Sequence, residues 1–138
     1  MNPTIGLVVA VLIVGVLMLA VMSITKNKGI VLDQEKYQTR WLKIEQNLIK
    51  DDLSSYKLTI LEADKLLDHA LVELGITGKT MGERLKKTSD MFTSINSIWH
   101  AHKLRNQIAH EHDFEINFDQ AKRALGNFRQ GLKDLGAI

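Results

Sequence analysis

Leu53–Gly75 reads LSSYKLTILEADKLLDHALVELG. Leu53, Tyr56, Ile60, Ala63, Leu67, Ala70 or Leu71, and Leu74 recur three or four residues apart along it. That period places them on one face of an amphipathic α-helix, which must bury that face against something. Gly75 ends the stripe, as a residue free to adopt the left-handed conformation of a helix C-cap. The question this stretch raises is what covers its apolar side.

The flanking sequence answers with more helices. Upstream, within Val31–Lys50, Tyr37, Trp41, Ile44 and Leu48 fall four, three and four apart, one stripe of a second amphipathic helix. Asp51, Asp52 and Ser54 supply caps for the break between the two. Downstream, Gly75–Thr80 reads GITGKT, whose tail imitates a phosphate-binding loop. The imitation fails, because G-x4-G-K-[ST] needs glycine where Glu73 stands, and such a loop follows a strand. It serves as a helix connector. Thr80-Met81-Gly82-Glu83 then fits the S/T-x-x-E capping box and predicts a short helix through Leu85 and Lys87. Ser89–Thr93 is a soft boundary. A longer helix is expected from about Ser94 to Ala109, burying Ile95, Ile98, Trp99, Ala101 or His102, Leu104 or Arg105, and Ile108. Glu111–Asn117 reads as a turn or loop. From about Asp119, the stripe Ala121, Leu125, Phe128, Leu132, Leu135 marks a final helix, with Phe118 just before it. No segment alternates like a strand, so the expected fold class is all-α: an N-terminal transmembrane helix, then a four-helix bundle with one short extra helix.

The chain has 138 residues, no cysteine, one proline (Pro3) and a formal net charge of +2. Disulfides, thiolate metal sites and cysteine nucleophiles are therefore excluded. Bulk charge does not announce nucleic-acid binding, although a local basic patch is compatible with it. Ile5–Ile24, IGLVVAVLIVGVLMLAVMSI, carries no charge and has the length of roughly 20 residues that a helix needs to cross a bilayer. Met1–Thr4 lacks the basic residues of a secretory signal, so a retained anchor is expected rather than a cleaved leader. Lys26 and Lys28 follow at once, which by the positive-inside rule puts the N-terminus outside and the C-terminal domain in the cytoplasm of a single-pass cell-membrane protein. The expected division is a transmembrane helix over 4–25, a linker over 26–30 and a helical domain over 31–138. The soluble part can build only a modest core, and dimerisation would enlarge it.

Trp99–Phe114, WHAHKLRNQIAHEHDF, holds four of the five histidines. Metal chelation is a poor reading of it. His100 and His102 are two apart, as are His110 and His112, and on a helix such pairs diverge by about 200°. HExxH is absent, and no metal ligands are assigned. A different pattern stands inside: Arg105-Asn106-Gln107-Ile108-Ala109-His110 is R-x4-H with asparagine directly after the arginine.

This hexapeptide, on the third long helix of an all-helical domain, resembles the HEPN (higher eukaryotes and prokaryotes nucleotide-binding) domains, whose hallmark is R-x4-6-H. AHKLRNQIAHE, FDQAKRALGNFRQGLKDLG, EADKLLD (Glu62–Asp68) and GERL (Gly82–Leu85) also look like a group of short single-pass bacterial proteins with the same helix order. The resemblance implies RNA or nucleotide binding by a homodimer, with metal-independent endoribonuclease chemistry, no cofactor, and a protein partner such as an antitoxin. It implies catalytic roles for Arg105, Asn106 and His110. His110 would act as acid or base at the ribose 2′-hydroxyl, a task for which imidazole is suited because it titrates near neutral pH. Arg105 would hold the phosphate with its fixed fork of donors, and Asn106 would orient either. Lys103 and Arg84 are the candidate substrate-binding cations, and Glu62, Asp64, Asp68 and His102 the candidate supporting residues.

Helical spacing adds a constraint. Asn106 and His110 are one turn apart and share a face, but Arg105 and His110 diverge by about 140°. They converge only if the helix frays at His110 or a second subunit supplies the missing partner. The competing reading is structural: Arg105 pairs with Glu62, Asp64 or Asp68, and His110 caps the last carbonyls. Arg84 is open to the same alternative. Trp41 and Trp99 are assigned to packing, His69 to a partly buried satisfied position, and Lys122, Arg123, Arg129 and Lys133 to a solvated basic face. The non-catalytic alternative for the whole chain is a membrane-tethered interaction module.

Overall fold

The structure is a computed structural model that describes residues 2–25 and 29–138. It divides into two units, Met1–Ile30 and Val31–Ile138. All regular structure among the described residues is helical.

The first unit is α1, Pro3–Thr25. Pro3 takes the first helical position, where a missing N–H costs nothing, and the Asn2 carbonyl accepts from Ile5 and Gly6. The helix is apolar on all sides, and its large side chains from Ile5 to Met22 are exposed within the unit. Pro3–Met22 is long and apolar enough to cross a membrane. Lys26 and Lys28, on which the expected orientation rests, lie outside the described residues, as does most of the expected linker.

The second unit is a helical bundle built on α3, Leu53–Glu73. Asp52 caps it by accepting from Ser54 and Ser55, and Gly75 adopts φ 82°, as a C-terminal glycine should. Tyr56, Ile60, Ala63, Leu67, Ala70 and Leu71 are buried, but Leu53 is exposed and Leu74 only partly buried. α3 packs against α2 (Gln34–Gln46), α5 (Ile95–His110) and, most extensively, α6 (Phe118–Asp134). α4 (Met81–Lys86) is the short helix, and a 3-10 turn at Ser89–Met91 fills the soft boundary.

α2 is shorter than its stripe, because Asp33 caps it at one end and Asn47 closes it at the other. It is tied to α3 by Glu73, which accepts from Lys36 Nζ at 2.9 Å and from the Tyr37 hydroxyl at 2.7 Å. The Lys36 and Tyr37 bonds hold the Glu73 carboxyl below its ordinary range. Burial and then the bond to Glu73 push the Tyr37 hydroxyl up. His69 stands half-buried between Arg40 and Glu73, with its ring edge-on to Tyr37. The Thr80 hydroxyl oxygen accepts from the Glu83 N–H as expected, but the Glu83 carboxylate accepts from the Lys79 N–H rather than from Thr80, so the predicted box is displaced by one residue. The reciprocal box forms instead at α6, between Asn117 and Gln120.

α3 and α6 approach closely at Gly131. A Cβ there would stand 2.7 Å from Ile98 Cδ1 and 3.3 Å from both Leu67 methyls, and Ile98 and Leu67 are fully buried with little room to move. Gly126, on the exposed side of the same helix, has nothing within 4 Å of its Cβ position. The two glycines should respond oppositely to alanine. In urea unfolding of the Val31–Ile138 unit, Gly131→Ala should destabilise by about 1–3 kcal/mol, and Gly126→Ala should stabilise by roughly 0.5–1 kcal/mol.

Asp134, in the last turn of α6, fastens the start of α5. Its carboxylate accepts from the Thr93 N–H and the Thr93 hydroxyl, each at 2.8 Å, and from Gln130 at 2.9 Å. Burial opposes its charge, but those donors outweigh burial and hold the carboxyl low. A carboxyl that titrates lower folded than unfolded stabilises fully above about pH 4 and less as pH falls toward its native value. Asp134→Asn should therefore lower stability at pH 7 and flatten the acid limb of a stability–pH profile below about pH 4.

Candidate functional site

α5 carries the R-x4-H residues, and its Ser94 cap, buried Ile98 and Ala101, and Glu111 C-cap fix its length and rotation. Its central polar residues meet Asp64, a carboxylate on the buried side of α3 with a side chain only 6% exposed. Asp64 Oδ1 lies 2.7 Å from His102 Nδ1. An ionised carboxylate only accepts, so Nδ1 carries the hydrogen and donates. Asp64 Oδ2 lies 3.3 Å from Arg105 Nε, close enough for charge attraction. Nε nonetheless has no hydrogen-bond partner among the described residues, because the contact is misaligned. Arg105 Nη1 donates to Asn106 Oδ1 at 3.0 Å, and Asn106 Nδ2 stands 3.4 Å from His102 Nε2. The amide orientation set by Arg105 leaves Nε2 as an acceptor. The four side chains close a ring: Asp64, His102, Asn106, Arg105.

The ring gathers two of the candidate catalytic residues and two of the candidate supporting ones. It does not include His110. α5 stays helical through His110, with the Glu111 N–H donating to the Gln107 carbonyl, so fraying does not bring His110 round to Arg105. His110 is exposed and has no hydrogen-bond or ion-pair partner among the described residues. The Arg105 side chain is about one-third exposed, at 35%, so part of its fork still reaches solvent.

Arg84 takes the structural role open to it. Its Nε and Nη2 donate to the two oxygens of Asp68 at 2.7 and 2.8 Å, and Nη1 donates to the Gly78 carbonyl. The Asp68 bonds hold the guanidinium more firmly protonated than usual. This fork staples the GITGKT loop to α3 and has little left for a substrate. Asp64 and Asp68 thus serve different cations and do not work as a carboxylate pair. Glu62 faces the α2 side, in a groove with Arg40 and Lys43. Lys103 is exposed beside the ring, on the outer face of α5.

Trp41 is buried as expected, with its indole Nε1 unpartnered among the described residues. Trp99 is only partly buried and lies edge-on to His102, its centroid 5.9 Å away. It lines a surface groove of about 470 Å³ with Asn96, His100, Lys103 and Asn106. The sequence gives it as packing alone, because a stripe records burial on average and not which edge of a large ring stays open. A larger groove, about 780 Å³, lies between the starts of α3 and α6, but Asp51, Glu115 and Asp119 give it the wrong charge for a phosphate ligand. No group of three His, Asp or Glu side chains is placed to hold a metal among the described residues.

No protein-family model, no curated protein and no solved structure matches this chain. The site must therefore be argued from its own geometry.

Breaking the ring at its buried charge should be costly. Asp64→Ala leaves His102 and Arg105 against each other without a counter-charge, and should destabilise the domain by about 3 kcal/mol. Asp64→Asn, which keeps an acceptor, should cost less. Chemical denaturation of both variants checks the order.

Proposed function

We propose that this chain is a membrane-anchored, HEPN-like protein that binds RNA and cleaves it without a metal, through a site composed from two copies. The observation that carries the reading is the split on α5. Arg105 is held in place by Asp64 and Asn106, while His110, on the same unbroken helix, points elsewhere with no side-chain partner among the described residues. A dimer that sets one copy's Arg105 beside the other's His110 uses both. α1 would be a single-pass anchor, with Lys26 and Lys28 keeping the domain on the cytoplasmic side.

In that site His110 takes the proton of the ribose 2′-hydroxyl. The 2′-oxygen forms a bond to phosphorus, and the bond from phosphorus to the 5′-oxygen breaks. The second copy's His110, protonated, returns a proton to the departing 5′-oxygen. The exposed part of Arg105 stabilises charge on the phosphoryl oxygens, and Asp64 keeps its planar fork from turning away. The products carry 2′,3′-cyclic phosphate and 5′-hydroxyl ends. A non-catalytic interaction module is the second reading, favoured by the tie of Arg105 to Asp64 and Asn106 within the domain.

End-labelled RNA incubated with the full chain in detergent and EDTA separates the two. Cyclic-phosphate products, lost by a factor of about 10² or more in both His110→Ala and Arg105→Ala, support the enzyme. Absence of both cleavage and RNA binding leaves the interaction module.

A further inference from the structure

Lys103 and Arg123 belong to no ion pair among the described residues, and they face one another across the seam between α5 and α6. On α5, His100, Lys103 and Gln107 follow one another at three and four residues and form one ridge. On α6, Gln120, Arg123 and Asn127 repeat that spacing and form the facing ridge. Between them runs a groove of about 350 Å³, with Ala101, Leu104 and Ala124 as its floor. No carboxylate lines it. Its walls are two cations, one imidazole and three amides, and the Gln120 side chain spends only its oxygen, on the Asn117 N–H.

This groove shares His100 and Lys103 with the groove beside Trp99. The second groove has a part-exposed indole and the amides of Asn96 and Asn106. A cationic, amide-lined channel suits a phosphodiester backbone, and an aromatic face flanked by amides suits an unstacked base. A lipid interface also favours an indole, so it is the amides of Asn96 and Asn106 beside Trp99, which an unstacked base can use, that favour RNA.

We propose that the α5–α6 seam is a binding track for single-stranded RNA, with phosphates between Lys103 and Arg123 and a base stacked on Trp99. The track rests on the RNA-binding reading above, and it adds His100, Gln107, Arg123 and Asn127, which lie outside the R-x4-H motif. RNA lying along it passes the outer side of the ring that holds Arg105 and Asn106.

The test is a titration of the full chain, in nanodiscs of zwitterionic lipid, with a single-stranded RNA oligonucleotide, read by tryptophan emission and by anisotropy of a labelled RNA. The oligonucleotide should quench emission in the wild type, and not in Trp99→Phe. Lys103→Ala/Arg123→Ala should weaken binding roughly tenfold or more and reduce the log–log salt slope by about 1.4. The exposed pair Lys50→Ala/Lys86→Ala, equal in charge change, should do neither. If RNA binds but Lys103, Arg123 and Trp99 variants bind like the wild type, the track is wrong and the RNA reading survives. If the wild type binds no RNA, both fall. If phosphatidylserine vesicles, and not RNA, engage Lys103 and Arg123, the seam is a lipid contact and the track is overturned. Binding that follows the track without any cleavage retains the track and removes only the nuclease.

Discussion

A buried carboxylate is a demand that the surrounding chain has to meet. Asp64 sits on the core side of α3, where an unpaired charge would be costly. It is met by His102 and by the Nε side of Arg105, both from α5. Apolar contacts such as those of Ile98 and Ala101 fix how much of α5 is buried, but they tolerate rotation and sliding. The Asp64–His102 bond does not. Once it forms, the other face of α5 is decided, and His100, Lys103 and His110 are turned outward together. The chemistry proposed for this protein therefore depends on one polar contact in its core.

α3 meets its neighbours by different means. Glu73 and a tyrosine hydroxyl hold α2, a bidentate arginine holds the α4 segment, and close apolar contact at Gly131 admits α6. Polar ties occur where a short or exposed element has little surface to bury. Shape does the work where α3 and α6 meet. Not every polar group is matched: the Trp41 indole N–H is buried without a partner among the described residues, a lost hydrogen bond.

The helices were legible because their stripes are local. Tyr56 to Leu71 on α3 and Ala121 to Leu132 on α6 need only a count of three and four, and Gly75 and Thr80 mark ends by their own backbone and side-chain chemistry. What stayed out of reach depends on how two helices are rotated against each other. Asp64 was a candidate partner for Arg105 alongside Glu62 and Asp68, and spacing could not choose among the three. The ring through His102 and Asn106 needs α3 and α5 in contact at a given register. The Asn117–Gln120 box was hidden for another reason: its cap is asparagine and its third residue glutamine, a weaker signature than the Thr80–Glu83 pair. The tie between Thr93 and Asp134 spans 41 positions, and no local pattern announces it.

The staples on α3 differ in how far they reach along the chain. Arg84 joins Asp68 over 16 positions, and Lys87 joins Thr77 over 10, so the α3–α4 hook can assemble from neighbouring sequence. The niche that receives Gly131 stays open much longer. During synthesis α3 emerges well before α6, and Leu67 and Ile98 remain uncovered until the last helix arrives. A nascent chain thus passes through a stage with its most extensive helix seam bare. Delay at that stage leaves Leu67 and Ile98 open to contact with other chains.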